Sequence, residues 1–414
     1  MFALRIVLIA LILGFQWEDG MNSRAVETGL EVLTGDDFSI LKGKRVGLIT
    51  NPTGVDRNLR SAADILHNAP GVRLTALFGP EHGVRGEFAA GETIGPAVDP
   101  ATGIPVYSLY GKTRKPTPEM LRNIDVLVYD IQDIGSRSYT YISTLGLAME
   151  AAAENNIPFL VLDRPNPLGG IRMEGPLVQP GFTSFVSQYP IPYIHGLTVG
   201  ELAEFLNGEG LLENGVKCRL EVVKMKNWKR DMLFEDTGLP WVPSSPHIPN
   251  AQTALFYPAT GILGELYTVS IGVGYTMPFQ LLAAEWIDAD SLAAALNALS
   301  LPGVRFRPLH YKPYYSVAQG TMVHGVQIHL TDPAKAPLTL LQFYFLQEVR
   351  KLRPDKDIFS LCDPSRLDMF DKVCGTDRVR KEFLKTWQVS SVLDIWNGDI
   401  PQFRKKAEKY LLYK

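Results

Sequence analysis

Cysteine is scarce in this chain. Cys218, Cys362 and Cys374 are the only three in 414 residues, and no CxxC pair occurs. Neither a disulfide scaffold nor a zinc ribbon is supported; buried free thiols are expected, with Cys362–Cys374 the one bridge left open. An excess of one charge is missing as well. Lys and Arg number 41 against 44 Asp and Glu, a net charge of −3, so no bulk attraction draws the protein to nucleic acid or an anionic membrane. Long apolar runs are also absent: the stretch from Ile6 to Phe15 spans about ten residues, where a membrane helix needs roughly 20. Lying just after Arg5, it suits the apolar region of a secretory signal. Residues 1–26 are therefore expected to be a signal peptide or N-terminal extension, and the protein to be exported to the periplasm or beyond, without stable membrane insertion.

Several catalytic and cofactor motifs are missing too. The first strand-like run, Gly43 to Thr50, is followed by Asn51-Pro52-Thr53-Gly54 instead of GxGxxG, with a proline where backbone must approach a pyrophosphate. No Walker A lysine motif, HExxH or GxSxG occurs, and the seven histidines (67, 82, 195, 247, 310, 324, 329) show no metal-ligand spacing. The expectation is an activity with no metal and no cofactor.

What is present is a large core, at 46% hydrophobic residues, and a repeating order of short apolar runs and helical segments. Strands are predicted at 43–50, 72–78, 105–109, 125–130, 158–163 and 219–224, with helices near 59–67, 141–155 and 198–207. Continuous apolar strands between helices predict an α/β fold, a Rossmann-like, mostly parallel sheet covered by helices on both faces. Leu239 to Asn250 holds four prolines in twelve residues and cannot be regular. It closes a first domain, 27–250. A smaller α+β domain, 251–414, follows, with strands at 303–306 and 323–330 and helices at 338–352 and 377–387.

Every polar cluster of the first domain sits just after an apolar run: Asn51; Glu81-His82 with Arg85, Glu87 and Glu92; Asp130, Gln132, Asp133, Arg137 and Tyr139; then Asp163, Arg164 and Asn166, with Glu174 beyond. One such cluster is more often a turn or helix cap. Four at the carboxyl edge of one sheet mark a ligand cleft. Two carboxyl groups in different environments can divide acid and base work in glycoside hydrolysis, and arginines there could fork onto a substrate carboxylate. Glu81 is the expected catalytic acid, set against substrate binding or a salt bridge, with His82 orienting it. Asp130 is the second carboxylate candidate, set against a structural role closing a buried strand with Arg137 as its partner. Asn51, Arg85, Glu92, Gln132, Asp133, Arg137, Tyr139, Arg164, Asn166, Glu174 and His247 are the substrate-binding candidates.

At these residues the chain resembles the DUF1343 family, represented by NamZ-type exo-β-N-acetylmuramidases of glycoside hydrolase family 171. The resemblance rests on Val46 to Gly54, Phe78 to Glu92, Asp130 to Tyr141, Asp163 to Gly170 with Glu174-Gly-Pro176, and Lys409 to Tyr413, and covers residues 29–414. It implies a Rossmann-like domain with a smaller auxiliary one, an active site in the cleft between them, and release of N-acetylmuramic acid from the non-reducing end of peptidoglycan fragments. By the Pro-Glu-His-Gly motif it places the family's candidate catalytic glutamate at Glu81. The substrate's own acetamido group can serve as nucleophile in such hydrolases, so a second enzymatic carboxylate is not obligatory. One stretch departs from the family pattern. Where an asparagine and an arginine are usual, this chain has Thr268 and Val273; if that arginine meets the lactyl carboxylate, a bond of about 1.5–3 kcal/mol is missing. A non-catalytic glycan-binding paralogue is the competing reading, and the Asn-Pro-Thr-Gly turn speaks against a nucleotide-binding oxidoreductase.

Overall fold

The structure is a computed structural model that describes residues 25–86 and 97–414. The Ile6–Phe15 run, Glu87 and Glu92 lie outside the described residues. Seven strands build the main sheet: β1 (Arg45–Thr50), β2 (Arg73–Gly79), β3 (Ala97–Val98), β4 (Pro105–Ser108), β5 (Val126–Asp130), β6 (Phe159–Leu162) and β7 (Leu220–Val223). Their order is β3-β4-β2-β1-β5-β6-β7, parallel throughout except where β3 runs against β4. From β1 the chain moves outward to β2 on one side and later to β5 on the other. That reversal opens a crevice at the carboxyl ends of neighbouring strands.

The strands are apolar on both faces because both are covered. Val46, Leu48, Val126, Val128, Leu160 and Leu162 pack on α1 (Gly29–Gly35) and α2 (Ala62–His67) through Leu30, Leu33, Ala63 and Leu66. The alternate residues Ile49, Phe78, Leu127, Tyr129, Phe159 and Val161 join a second core with Leu145 and Met149 of α4 (Tyr141–Glu154) and Leu202 and Phe205 of α5 (Val199–Gly208). A short α3 (Pro118–Leu121) precedes β5.

The second sheet is antiparallel and three-stranded, β8 (Leu281–Ala284), β10 (Val323–Leu330) and β9 (Val304–Tyr311) in that order. It shares a core with α6 (Ala251–Gly264), α7 (Ala289–Ala298), α8 (Leu341–Leu352), α9 (Pro364–Cys374), α10 (Arg378–Thr386) and α11 (Leu393–Asn397). Sequence periodicity did not anticipate α6, and its interior Pro258 explains why. Gln342 of α8 braces the turn that follows, its Oε1 accepting the Leu263 N–H at 2.8 Å and its Nε2 donating to the Pro258 carbonyl at 3.2 Å. The last helix, α12 (Ile400–Ala407), turns back to the first sheet, where Phe403 and Ala407 enter the α4–α5 core. All three cysteines are free.

Candidate active site

After β2 the chain turns so tightly that it folds back on its own strand end. Gly83 N–H donates to the Pro80 carbonyl at 3.0 Å, and His82 and Gly83 both take positive φ, 74° and 78°. A Cβ on Gly79 would lie 3.0 Å from the Val84 nitrogen, so glycine is what lets the loop close. The turn projects Glu81 toward the start of α4, where the Thr140 hydroxyl donates to its Oε2 at 3.3 Å. The Tyr110 hydroxyl, just past β4, lines the same space as Glu81, and burial followed by that negative neighbour pushes the phenol up to about 12. Tyr110 therefore stays a donor at any working pH.

Glu81 opens into a cavity of about 650 Å³, well within the range of small-ligand sites. One wall comes from the first sheet's loops: Glu81, His82, Tyr110, Arg114, Ser138 to Tyr141 and Ser184 to Val186. The other comes from the second half of the chain: Ser245, His247, Tyr257, Glu265, Tyr267, Val273, Phe279, Val317 and Lys372 among them. A run of edge-on aromatic contacts links the walls, Tyr141 to Tyr139 at 4.9 Å, Tyr139 to Tyr257 at 5.7 Å and Tyr257 to Phe279 at 4.9 Å. Their hydroxyls are satisfied: Tyr139 donates to Ser244 Oγ at 2.8 Å, and Ser138 Oγ sits between Tyr193 and Tyr257 at 2.9 and 3.1 Å. Burial raises all of these phenols above their ordinary range, so the floor offers neutral dipoles. Two further groups are shifted. Burial, then the nearby His82, lowers His247, whose Nε2 lies 2.9 Å from the Tyr315 hydroxyl. Burial raises the Glu265 carboxyl against the opposing pull of Arg366, 3.9 Å away.

Glu81, His82, Tyr139 and His247 share this cavity. The other candidates sit elsewhere. Asp130 is fully buried and paired with Arg164 at 2.5 and 2.9 Å, so its partner is Arg164 and not Arg137. Arg137 is fully buried too; it donates to the carbonyls of Pro176, Ile191 and Val373 at 2.6, 2.6 and 2.8 Å, and burial lowers it to about 10. Arg85 pairs with Asp64 at 2.7 Å and Asp99 at 2.9 Å. Asn51 accepts from the Thr53 hydroxyl at 2.6 Å, and that hydroxyl accepts from the Gln132 N–H at 2.8 Å. Gln132 Nε2 reaches the Pro165 carbonyl at 2.6 Å, Asp133 accepts from Gly135 N–H at 2.6 Å, and Asn166 Nδ2 donates to the Leu197 carbonyl at 2.9 Å. Glu174 ties to Arg172 and to the Thr339 hydroxyl at 2.7 Å, across the two halves of the chain. These residues fix the loops that carry the cavity wall. Among the described residues no cluster of three or more His, Cys, Asp or Glu could hold a metal.

The two halves of the chain each match a known sequence profile, described as exo-β-N-acetylmuramidase NamZ, N-terminal, over residues 46–252 and C-terminal over residues 255–413. The chain belongs to the NamZ family. The peptidoglycan β-N-acetylmuramidase NamZ of Bacillus subtilis strain 168 is 48% identical over 388 residues, 94% of this chain and 91% of that protein. Two crystal structures of DUF1343 family proteins from Bacteroides fragilis NCTC 9343 share the fold. One is 58% identical with a TM-score of 0.91, the other 30% identical with a TM-score of 0.75; each match covers 94% of this chain, and 100% and 99% of theirs.

In this NamZ family member several cavity residues escaped the reading from sequence. Tyr110 and Arg114 follow a strand as the other clusters do, but no cluster of carboxylates draws attention to them. Glu265 stands in the same stretch as Thr268 and Val273, and its carboxyl is singled out only once the helix α6 ends at the cavity. Ser138 lies inside the Asp130–Tyr141 stretch without standing out from it, and Tyr257 and Lys372 carry no local signature.

Proposed function

We propose that this protein is an exo-acting β-N-acetylmuramidase that removes N-acetylmuramic acid from the non-reducing end of peptidoglycan fragments, with Glu81 as the group that transfers a proton at the glycosidic oxygen. The observation that carries the reading is the 48% identity over 94% of the chain to a protein described by that activity, joined to a cavity whose walls come from both halves of the chain. Glu81 is held by the Thr140 hydroxyl, with Tyr110 beside it in the cavity, at the strand edge where α/β sheets bind ligands. Cleavage of a glycosidic bond needs a proton on the departing oxygen and stabilisation of positive charge at the anomeric carbon. Neutral phenols and serines around the site supply hydrogen bonds to sugar hydroxyls without adding charge.

Glu265 contributes differently. Burial favours its protonated form, and a protonated carboxyl can donate to a sugar oxygen as a carboxylate cannot. Residues 27–250 carry the catalytic carboxyl and 251–414 complete the cavity. The Ile6–Phe15 run supports export, which places the enzyme with its polymer; fractionation of cells checks this. The deciding assay follows release of N-acetylmuramic acid from a β-linked N-acetylmuramyl-N-acetylglucosamine disaccharide. Wild-type protein should release it and Glu81→Gln should fall by roughly 10²–10⁴-fold; silence of the wild type on this substrate would overturn the reading.

A further inference from the structure

Muramic acid differs from glucosamine by a lactyl ether bearing a carboxylate, so an enzyme that selects it needs a cation where that group lies. Three positively charged or protonatable types face the cavity: Arg114, Lys372 and the histidines His82 and His247. Lys372 is neutralised by Asp368 at 2.6 Å, one turn away on α9. His247 is held toward its neutral form by burial. The wall formed by Val269, Ile271 and Val273 carries no charge. Of Arg114 and His82, which remain, Arg114 alone is a permanent cation, and among the described residues it pairs with no carboxylate.

Its position is built. The guanidinium carbon lies 4.4 Å from the centre of the Phe185 ring, and the backbone carbonyl of Phe185 is fixed by the Ser143 hydroxyl of α4 at 2.7 Å. The same ring stands 6.3 Å from Tyr110, which shares the cavity lining with Glu81 and Arg114. The next residue, Lys115, is anchored to Glu154 at 2.6 Å and to Glu150 and Glu213 at 3.5 Å. Stacking on an aromatic face leaves the N–H edge of a guanidinium available for a planar, two-point contact with a carboxylate. Arg114 thus stays exposed to the cavity, stacked on Phe185 and next to an anchored Lys115.

Resting on the muramidase reading above, we propose that Arg114, seated on Phe185 beside Tyr110, binds the lactyl carboxylate of the muramic acid unit and is the residue that sets acidic-sugar specificity. The test measures binding of free N-acetylmuramic acid and of N-acetylglucosamine by calorimetry, and kcat and KM on the muramyl disaccharide, for wild type, Arg114→Gln, Arg114→Lys and Lys372→Gln. Expected for Arg114→Gln is a loss of roughly 10- to 100-fold in affinity for the acid sugar, unchanged binding of the neutral one, and a rise in KM larger than the fall in kcat. Arg114→Lys should recover part of the affinity, and the wild-type preference for the acid sugar should weaken with added salt. Equal loss for both sugars, no loss for either, or loss confined to Lys372→Gln would each overturn the assignment. Because the arginine is exposed, a matched melting curve establishes that the variant folds. A wild type inert toward muramyl substrates sinks the muramidase reading itself, whereas a normal wild type with an unselective effect in the variant sinks only the role of Arg114.

Discussion

At the end of α6, Glu265 faces the cavity with its carboxyl biased toward the protonated form by burial. A group with a raised ionisation point gives up its proton as pH climbs, so its donor role fades on the alkaline side and not the acid side. Glu265→Gln keeps a donor of the same shape. Its pH–rate profile should retain activity near neutrality and extend further to the alkaline side than the wild type, while Glu265→Ala should lose activity throughout; an unchanged alkaline limb in the glutamine variant would remove Glu265 from the reaction. The sequence showed the polar clusters but could not say which members face inward. Asp130 and Arg164 satisfy one another so fully that neither is free for a ligand, and Arg137 is absorbed by backbone carbonyls, one of them at the carboxyl end of α9, where a cation is favoured. Those partners lie far apart along the chain, and spacing alone carries no trace of them. Glu81 was identifiable because its turn is local: Gly-Pro-Glu-His-Gly states its own geometry.

Regular elements were readable wherever their stabilisation is local. The six apolar strands and the helices α4 and α5 appear in the sequence because continuous apolar runs, helical segments and their lengths agree, with a capping box opening α5. The helix α6 does not, since Pro258 removes a donor, and the Gln342 side chain that braces the following turn through the Leu263 N–H and the Pro258 carbonyl comes 84 positions later. That side chain is itself buried, and it also donates to the Thr339 carbonyl at 2.9 Å. Replacing it with leucine leaves the Leu263 N–H and the Pro258 carbonyl buried without partners, a cost of about 1–3 kcal/mol. Gln342→Leu should therefore melt several degrees below the wild type, with reduced activity following from a displaced Tyr257 and Glu265 at the cavity wall. A melting point equal to the wild type would show that the helix tolerates its proline unaided.

Over the whole molecule, the carboxyl terminus ties the two halves together. Tyr413 donates to the buried Asp163 carboxylate at 2.6 Å, Leu412 N–H reaches Glu201 at 2.9 Å, and Lys409 and Tyr410 hold Glu209 at 2.6 and 2.8 Å. Burial raises Asp163 to about 6, against the lowering pull of bonds from Tyr413, Gly200 N–H and the Thr198 hydroxyl. A carboxyl raised on folding lends stability that is fully present below its unfolded value near 3.8 and is lost as pH rises through about 6, here of order 3 kcal/mol. Tyr413→Phe removes a bond that favours the charged form, so its destabilisation should be larger at pH 8 than at pH 4.5. Melting curves at the two pH values check this, and an equal drop at both would mean that Asp163 does not change its ionisation between them in the folded protein.

The clasp between Tyr413 and Asp163 also governs the order in which the molecule can be completed. Its two ends are 250 positions apart. Until residues 403–413 are in place, the edge formed by β6, β7 and α5 lacks both Tyr413 and the aromatic cover of Phe403 and Tyr410. The first half of the chain is therefore left with an unfinished seam until the second half has been made, and changes at residues 403–413 act on the stability of a sheet built by residues 45–223.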